Sequence, residues 1–120
     1  MRAGTVANKN VYKMKRNIKK IVDNAEMSEK AVEKYLMCEV RKLGGICLKF
    51  ASMSMTGYPD RLVLLPGGRQ AWVELKSHSE QPREIQRVRH AELMRLGQKV
   101  YVVDDRSKVG ALVDLWRNGL

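Results

Sequence analysis

The sequence predicts an α/β domain in which about four strands, two of them joined as a central hairpin, are flanked by helices. Three observations carry this. Two apolar runs of strand length flank the turn Pro66-Gly67-Gly68-Arg69, a strong hairpin signal. Apolar residues recur at helical spacing on both sides of the hairpin, at Val32, Leu36, Val40 and Leu43 before it and at Ile85, Leu93 and Leu96 after it. A further strand-like run, Lys99 to Val103, precedes a last helical pattern. At 120 residues the chain suits one domain with one modest core, and 44% hydrophobic content argues against disorder.

Charge narrows the partners. Lys and Arg number 23 against 13 Asp and Glu, a formal charge of +10. That excess points to a polyanion, with nucleic acid the first candidate and an anionic membrane surface the second. No apolar run approaches the roughly 20 residues of a spanning helix. The N-terminus is basic but lacks the apolar stretch of a secretory signal. Cys38 and Cys47 make neither a metal nor a disulfide framework and read as small buried residues of a reduced, cytoplasmic protein.

In chain order, residues 1–26 form a distinct basic segment with a loose helical pattern over about 11–23, either a phosphate-tracking arm or a solvated tail. The domain proper is placed at 27–120. Ser28 is an N-cap candidate for a helix that runs to about Leu43 and stops at Gly44-Gly45. At about 100° per residue, Glu29 falls roughly 25° from the centre of that helix's apolar stripe and Glu33 roughly 65° away. Ile46 to Ala51 alternates as a strand, with Ile46, Leu48 and Phe50 on one side. Ser52 to Tyr58 is a loop, serving either as a substrate contact or as a connector. Pro59 opens the first hairpin strand. Pro82 suits the start of the second helix, which ends at Gly97, and the side chain of Gln86 points inward. Asp104-Asp105 ends the last strand, and Ser107 is a cap for the last helix, with Val109, Leu112, Val113, Leu115 and Trp116.

The chemistry concentrates on the hairpin. Asp60 opens its first strand, and Glu74 and Lys76 close the second. Side-chain alternation puts Trp72, Glu74 and Lys76 on one face. Two carboxylates at one sheet end, with the carbonyl of Leu75 between Glu74 and Lys76, are a hard-oxygen set of the kind Mg²⁺ or Mn²⁺ accepts beside a phosphate. Lys76 is placed to orient or help deprotonate a water, or to neutralise transition-state charge. The competing reading is a Glu74–Lys76 salt bridge. His78 reads as an exposed loop histidine, and His90 as packing or a surface contact. Trp72 and Trp116 read as core or dimer contacts, and the run Arg83, Arg87, Arg89, Arg95 and Lys99 as partly flanking the cleft.

Gly57-Tyr58-Pro59-Asp60, then Glu74-Leu75-Lys76, then Gln86, with Glu29 ahead and Gly97 behind, resembles the VRR-NUC family of PD-(D/E)XK nucleases. The similarity covers about Ser28 to Asp105. It implies a restriction-endonuclease-like mixed β-sheet of about four strands flanked by helices. It implies metal-dependent hydrolysis of DNA phosphodiesters, with Mg²⁺ as cofactor and Mn²⁺ a substitute. Asp60, Glu74 and the Leu75 carbonyl would ligate the metal, and Glu29 (with Glu33 the fallback) would act through a water. Lys76 would be catalytic, and Gln86 would support the metal site or the substrate backbone. The small stand-alone, phage-type members it resembles act as homodimers on four-way (Holliday) junctions. The resemblance therefore implies branched DNA as partner and a host-cell cytoplasmic location, without a membrane or small-molecule substrate. The alternatives are a flap or general DNA nuclease of the same fold, and a non-catalytic nucleic-acid-binding accessory.

Overall fold

The computed structural model describes residues 12–17 and 28–120. Of the helix expected over 11–23, residues 12–17 are helical and exposed; the rest of the basic segment lies outside the described residues. From residue 28 the order is α1 (Glu29–Lys42), β1 (Ile46–Lys49), β2 (Arg61–Leu65), β3 (Arg69–Leu75), α2 (Glu84–Arg95), β4 (Val100–Val103) and α3 (Arg106–Arg117). The strands make one mixed sheet in the order β1-β2-β3-β4, antiparallel except for the β3–β4 pair. The α/β class, the central hairpin and the flanking helices are as the sequence predicts. The parallel pair is what α2 makes possible, since a crossover is needed to bring the chain back in the same direction.

Local chemistry sets the element ends. Ser28 caps α1, its hydroxyl accepting from the Ala31 N–H at 3.2 Å. Gly67 and Gly68 both have positive φ in the β2–β3 turn, the backbone such a two-strand reversal demands. The last helix is capped by Asp105, which accepts from the Lys108 N–H at 2.8 Å, and not by Ser107. Ser107 lies inside the helix and donates to Asp105. Aspartate, as a charged acceptor at the position before the first turn, makes the stronger cap.

The core lies on one face of the sheet. Val32, Leu36 and Val40 of α1 and Val109, Leu112, Val113 and Trp116 of α3 pack against Val63, Leu65, Ala71, Val73, Leu75 and Val103. Trp116 is therefore interior and unavailable to a dimer contact. The sheet's other face carries Ile46, Leu48, Leu62, Leu64, Trp72 and Glu74. On β1, half-buried Cys47 points to the core while Ile46 and Leu48 are exposed. Cys38, expected to be buried, is exposed on α1.

The inner face of α2 also differs from expectation. Leu93 is buried, but Ile85 and Leu96 are exposed, and the inward positions belong to Gln86 and His90. The reason is what α2 covers: it packs over the polar end of β3, so its inner face is polar.

Gly57 fixes how the loop before Asp60 meets this helix. Its φ is +93°, and a Cβ there would stand 2.8 Å from the Ile85 carbonyl oxygen. Gly57→Ala therefore adds left-handed strain to a backbone clash, and should destabilise the protein by about 2 kcal/mol. Urea denaturation checks this.

Candidate active site

The register of the hairpin assembles the site. Arg61 pairs with Val73, so the same antiparallel register extended by one residue sets Asp60 opposite Glu74. Directly opposed side chains of an antiparallel pair share a face with Cβ atoms about 5 Å apart. Asp60 is held there by its own strand end. One carboxylate oxygen accepts the Leu75 N–H at 2.9 Å, and its carbonyl accepts the Phe50 N–H at 2.8 Å.

Glu74 is enclosed, with 1% of its surface exposed. Oε1 lies 3.2 Å from His90 Nε2, and Oε2 accepts from Gln86 Nε2 at 3.4 Å. Gln86 is itself oriented, because its side-chain oxygen accepts the Arg83 N–H at 2.8 Å. Burial first, and then the neighbouring Asp60 carboxylate, push Glu74 up to about 8, while Lys76 opposes the rise. Burial first, and then the Lys76 charge, lower His90 from its ordinary value, which favours the neutral imidazole. Lys76 is buried beside these groups. Among the described residues it forms no ion pair with Glu74; the Glu74 contact is His90.

The two acids of α1 part company. Glu33 is engaged by Arg61, whose Nε and second guanidinium nitrogen lie 3.3 and 3.2 Å from one of its oxygens. Arg61 also donates to the Cys47 carbonyl. Glu29 is exposed at the helix start. Burial against the protein and the Asp60 charge raise its pKa, and Lys76 acts in the other direction, so Glu29 lies within electrostatic reach of the hairpin acids. Asp60, Glu74, Lys76 and Gln86 are thus brought together, with Glu29 on the rim and Glu33 diverted. His78 is exposed in its loop, as expected. His90 is the member that sequence reasoning missed. The available signal was its spacing, four residues after Gln86 and so on the same face of the helix.

Among the described residues, no three His, Cys, Asp or Glu side chains converge as a ready-made metal cluster. Mg²⁺ asks for less, usually one or two carboxylates completed by water and phosphate oxygens. Asp60 and Glu74 fit that demand. They are hard oxygen donors held against each other, and a divalent cation would relieve their repulsion.

A hairpin with Asp at one strand end and Glu-x-Lys at the other, on a mixed sheet between helices, is the pattern of the restriction-endonuclease-like class of nucleases. No protein-family model matches the sequence. One similar protein is "Putative nuclease p44" of Acyrthosiphon pisum secondary endosymbiont phage 1, 47% identical over 78 residues, which are 65% of this chain and 84% of that one. A solved structure described as a VRR_NUC domain superposes with a TM-score of 0.69 at 32% identity, over 72% of this chain and 94% of its own. The chain belongs to the VRR-NUC family of nucleases and is of its small phage type.

Two outcomes test the site's electrostatics. The metal-free fold holds the Glu74 proton to a higher pH than the unfolded chain does. Its contribution is therefore complete below the ordinary value of 4.5 and is lost as pH rises through about 8. The melting temperature of chelator-treated protein should fall between pH 5 and 8.5, a range chosen about that window, and Glu74→Gln should remove most of the fall. Separately, Glu33→Ala should destabilise by about 2 kcal/mol, because Arg61 loses a charged partner. Glu29→Ala should leave stability nearly unchanged and lower nuclease rate. Melts and initial rates on the two variants decide.

Proposed function

We propose that the protein is a Mg²⁺-dependent, structure-selective DNA endonuclease that resolves four-way junctions as a homodimer, with Mn²⁺ able to replace Mg²⁺. The observation that carries the metal-dependent reading is the opposed Asp60–Glu74 pair with Lys76 buried beside it. Asp60, Glu74 and the Leu75 carbonyl would hold the cation, and Glu29 would reach it through a water. The cation, when bound, would polarise the phosphate and lower the pKa of a bound water.

The protein's own groups do the rest. Lys76 sits where it neutralises charge developing on the scissile phosphate as water adds to phosphorus and the bond to the leaving sugar oxygen breaks. Gln86 keeps Glu74 in place. Exposed Arg83 and Arg87 on α2 supply phosphate contacts, whereas Arg89 is committed to the Thr56 carbonyl and to Glu92. Residues 27–120 are the nuclease domain and 1–26 a basic arm along the DNA backbone.

Branched DNA and dimerisation rest on the small phage-type membership and on size. A chain of this length has little surface with which to read a junction, while a two-fold pair presents two sites to two strands. Ile46 and Leu48, exposed on the edge strand, offer apolar surface for such an association to bury. The net charge of +10 favours a polyanion over a small-molecule substrate. Among the described residues no helix is long and apolar enough to cross a membrane. The location proposed is the host-cell cytoplasm.

The test is cleavage of labelled four-way junction, flap, duplex and single-stranded DNA with Mg²⁺, Mn²⁺ or chelator. Paired nicks in the junction, lost with chelator and lowered at least a hundredfold by Asp60→Asn or Glu74→Gln, are expected, since each change removes a ligand oxygen or its charge. Equal rates on all substrates would remove the junction reading, and cutting in chelator the metal reading. Sedimentation of the full chain gives the oligomeric state independently.

A further inference from the structure

Glu74 is the most enclosed carboxylate among the described residues, and both of its oxygens are met by α2. Gln86 and His90 are four residues apart and so lie one above the other on the helix. The Gln86 contact is long, at 3.4 Å, near the limit of a hydrogen bond. The His90 contact is shorter, at 3.2 Å, and His90 is itself 5% exposed. A buried imidazole is a costly way to fill a hydrophobic position. A leucine would pack there without a polar atom to satisfy.

We infer that His90 is a positioning residue for Glu74, and that it sets how well the hairpin holds a divalent cation. The terminal torsion of a glutamate is broad and fixes no orientation by itself. With Glu74 ionised, as a bound cation would hold it, an Nε2–H at His90 is the donor to Oε1, and that bond fixes the plane of the carboxylate with its remaining lone pairs towards Asp60. Gln86 alone, through one long bond, would leave that plane free to turn. His90 touches neither substrate nor reacting atoms and acts only through Glu74.

The same helix braces the other acid. Arg89 Nε donates to the Thr56 carbonyl at 3.0 Å, and the Tyr58 hydroxyl donates to Glu92 at 2.7 Å, both in the segment that leads into Asp60. The segment is thus tied to α2, which also carries the grip on Glu74. Besides the hairpin register, α2 therefore reaches the surroundings of both acids, with His90 at its shortest direct contact to one of them.

This inference rests on the metal-dependent reading, and the experiment separates the two. Mn²⁺ alone is titrated into the full chain by calorimetry, for wild type, His90→Ala, His90→Leu and His90→Gln, with the melting temperature of each metal-free protein recorded. Loss of a hydrogen-bond partner behind a ligand costs 10- to 100-fold in metal affinity. His90→Ala should therefore bind Mn²⁺ about tenfold more weakly. His90→Leu, which fills the space without a donor, should lose as much even where its melting temperature is unchanged. His90→Gln, which returns a donor, should stay close to wild type. Wild-type affinity in the Leu variant, or equal loss in the Gln and Leu variants, would overturn the role. Should the Ala variant fail to fold, the Leu–Gln comparison decides alone. Wild-type protein that binds no Mn²⁺ would overturn the metal reading itself.

Discussion

Two carboxylates held opposite each other across an antiparallel pair are the constraint from which the rest of the site follows. Like charges directly opposed in a sheet are destabilising, and enclosure removes the water that would screen them. The fold has two ways to tolerate Asp60 beside Glu74: a shared proton or a cation. Without a cation it takes the proton: burial first, and the Asp60 carboxylate second, push Glu74 up to about 8. Every neighbour then has a defined part. The Leu75 N–H satisfies one Asp60 oxygen, Gln86 and His90 satisfy Glu74, and Lys76 contributes the buried positive charge. The proton relieves the repulsion while it is held, and on the proposed reading a divalent ion would relieve it in the proton's place.

Such a site is affordable because stability is produced elsewhere. The aliphatic core is confined to the sheet face under α1 and α3, where Val32, Leu36, Val40, Val63, Val73 and Val109 are fully buried. The opposite face is left to chemistry. The helix over it, α2, contributes only Leu93 as a buried aliphatic, and its other inward groups are Gln86 and His90. It is fastened by polar contacts instead, from Arg89 to Thr56, Glu92 to Tyr58 and Gln86 to Glu74. This division keeps the unfavourable electrostatics of the site away from the apolar packing that sets the fold.

What could be read from the sequence tracks the same division. Where burial is apolar, periodicity suffices: α1, the hairpin and α3 fall where their patterns place them, the α3 cap being Asp105 and not Ser107, and Asp60 and Glu74 converge because alternation and register are fixed by the strands. Where packing is polar, periodicity misleads. The Ile85, Leu93 and Leu96 stripe of α2 points to an aliphatic inner face, yet Ile85 and Leu96 are exposed and His90 is inside. Nothing in residue type announces that a histidine will meet a glutamate sixteen residues earlier; only the crossover geometry does. Helix angle also left Glu29 and Glu33 both open. What separates them is Arg61, on another element, whose guanidinium takes Glu33.

The charge of the chain and that of the acids at the hairpin have opposite signs, and on the proposed reading this would order the events of catalysis. A net charge of +10 draws DNA from beyond contact distance, an effect that salt screens over roughly 8–10 Å. At the hairpin, on the proposed reading, a phosphate would instead meet Asp60 and Glu29, and Glu74 wherever it is ionised. One pair of unit charges about 4 Å apart repels by about 4 kcal/mol at the effective dielectric of a protein surface. Lys76 would offset only one such charge. Attraction by distant lysines and arginines therefore delivers DNA to the surface but not a phosphate to the hairpin. A cation between the carboxylates changes the sign of the field at that point. It would favour the ionised form of Glu74 and the approach of the phosphate together, so on the proposed metal-dependent reading cation and DNA should strengthen each other's binding by the same factor.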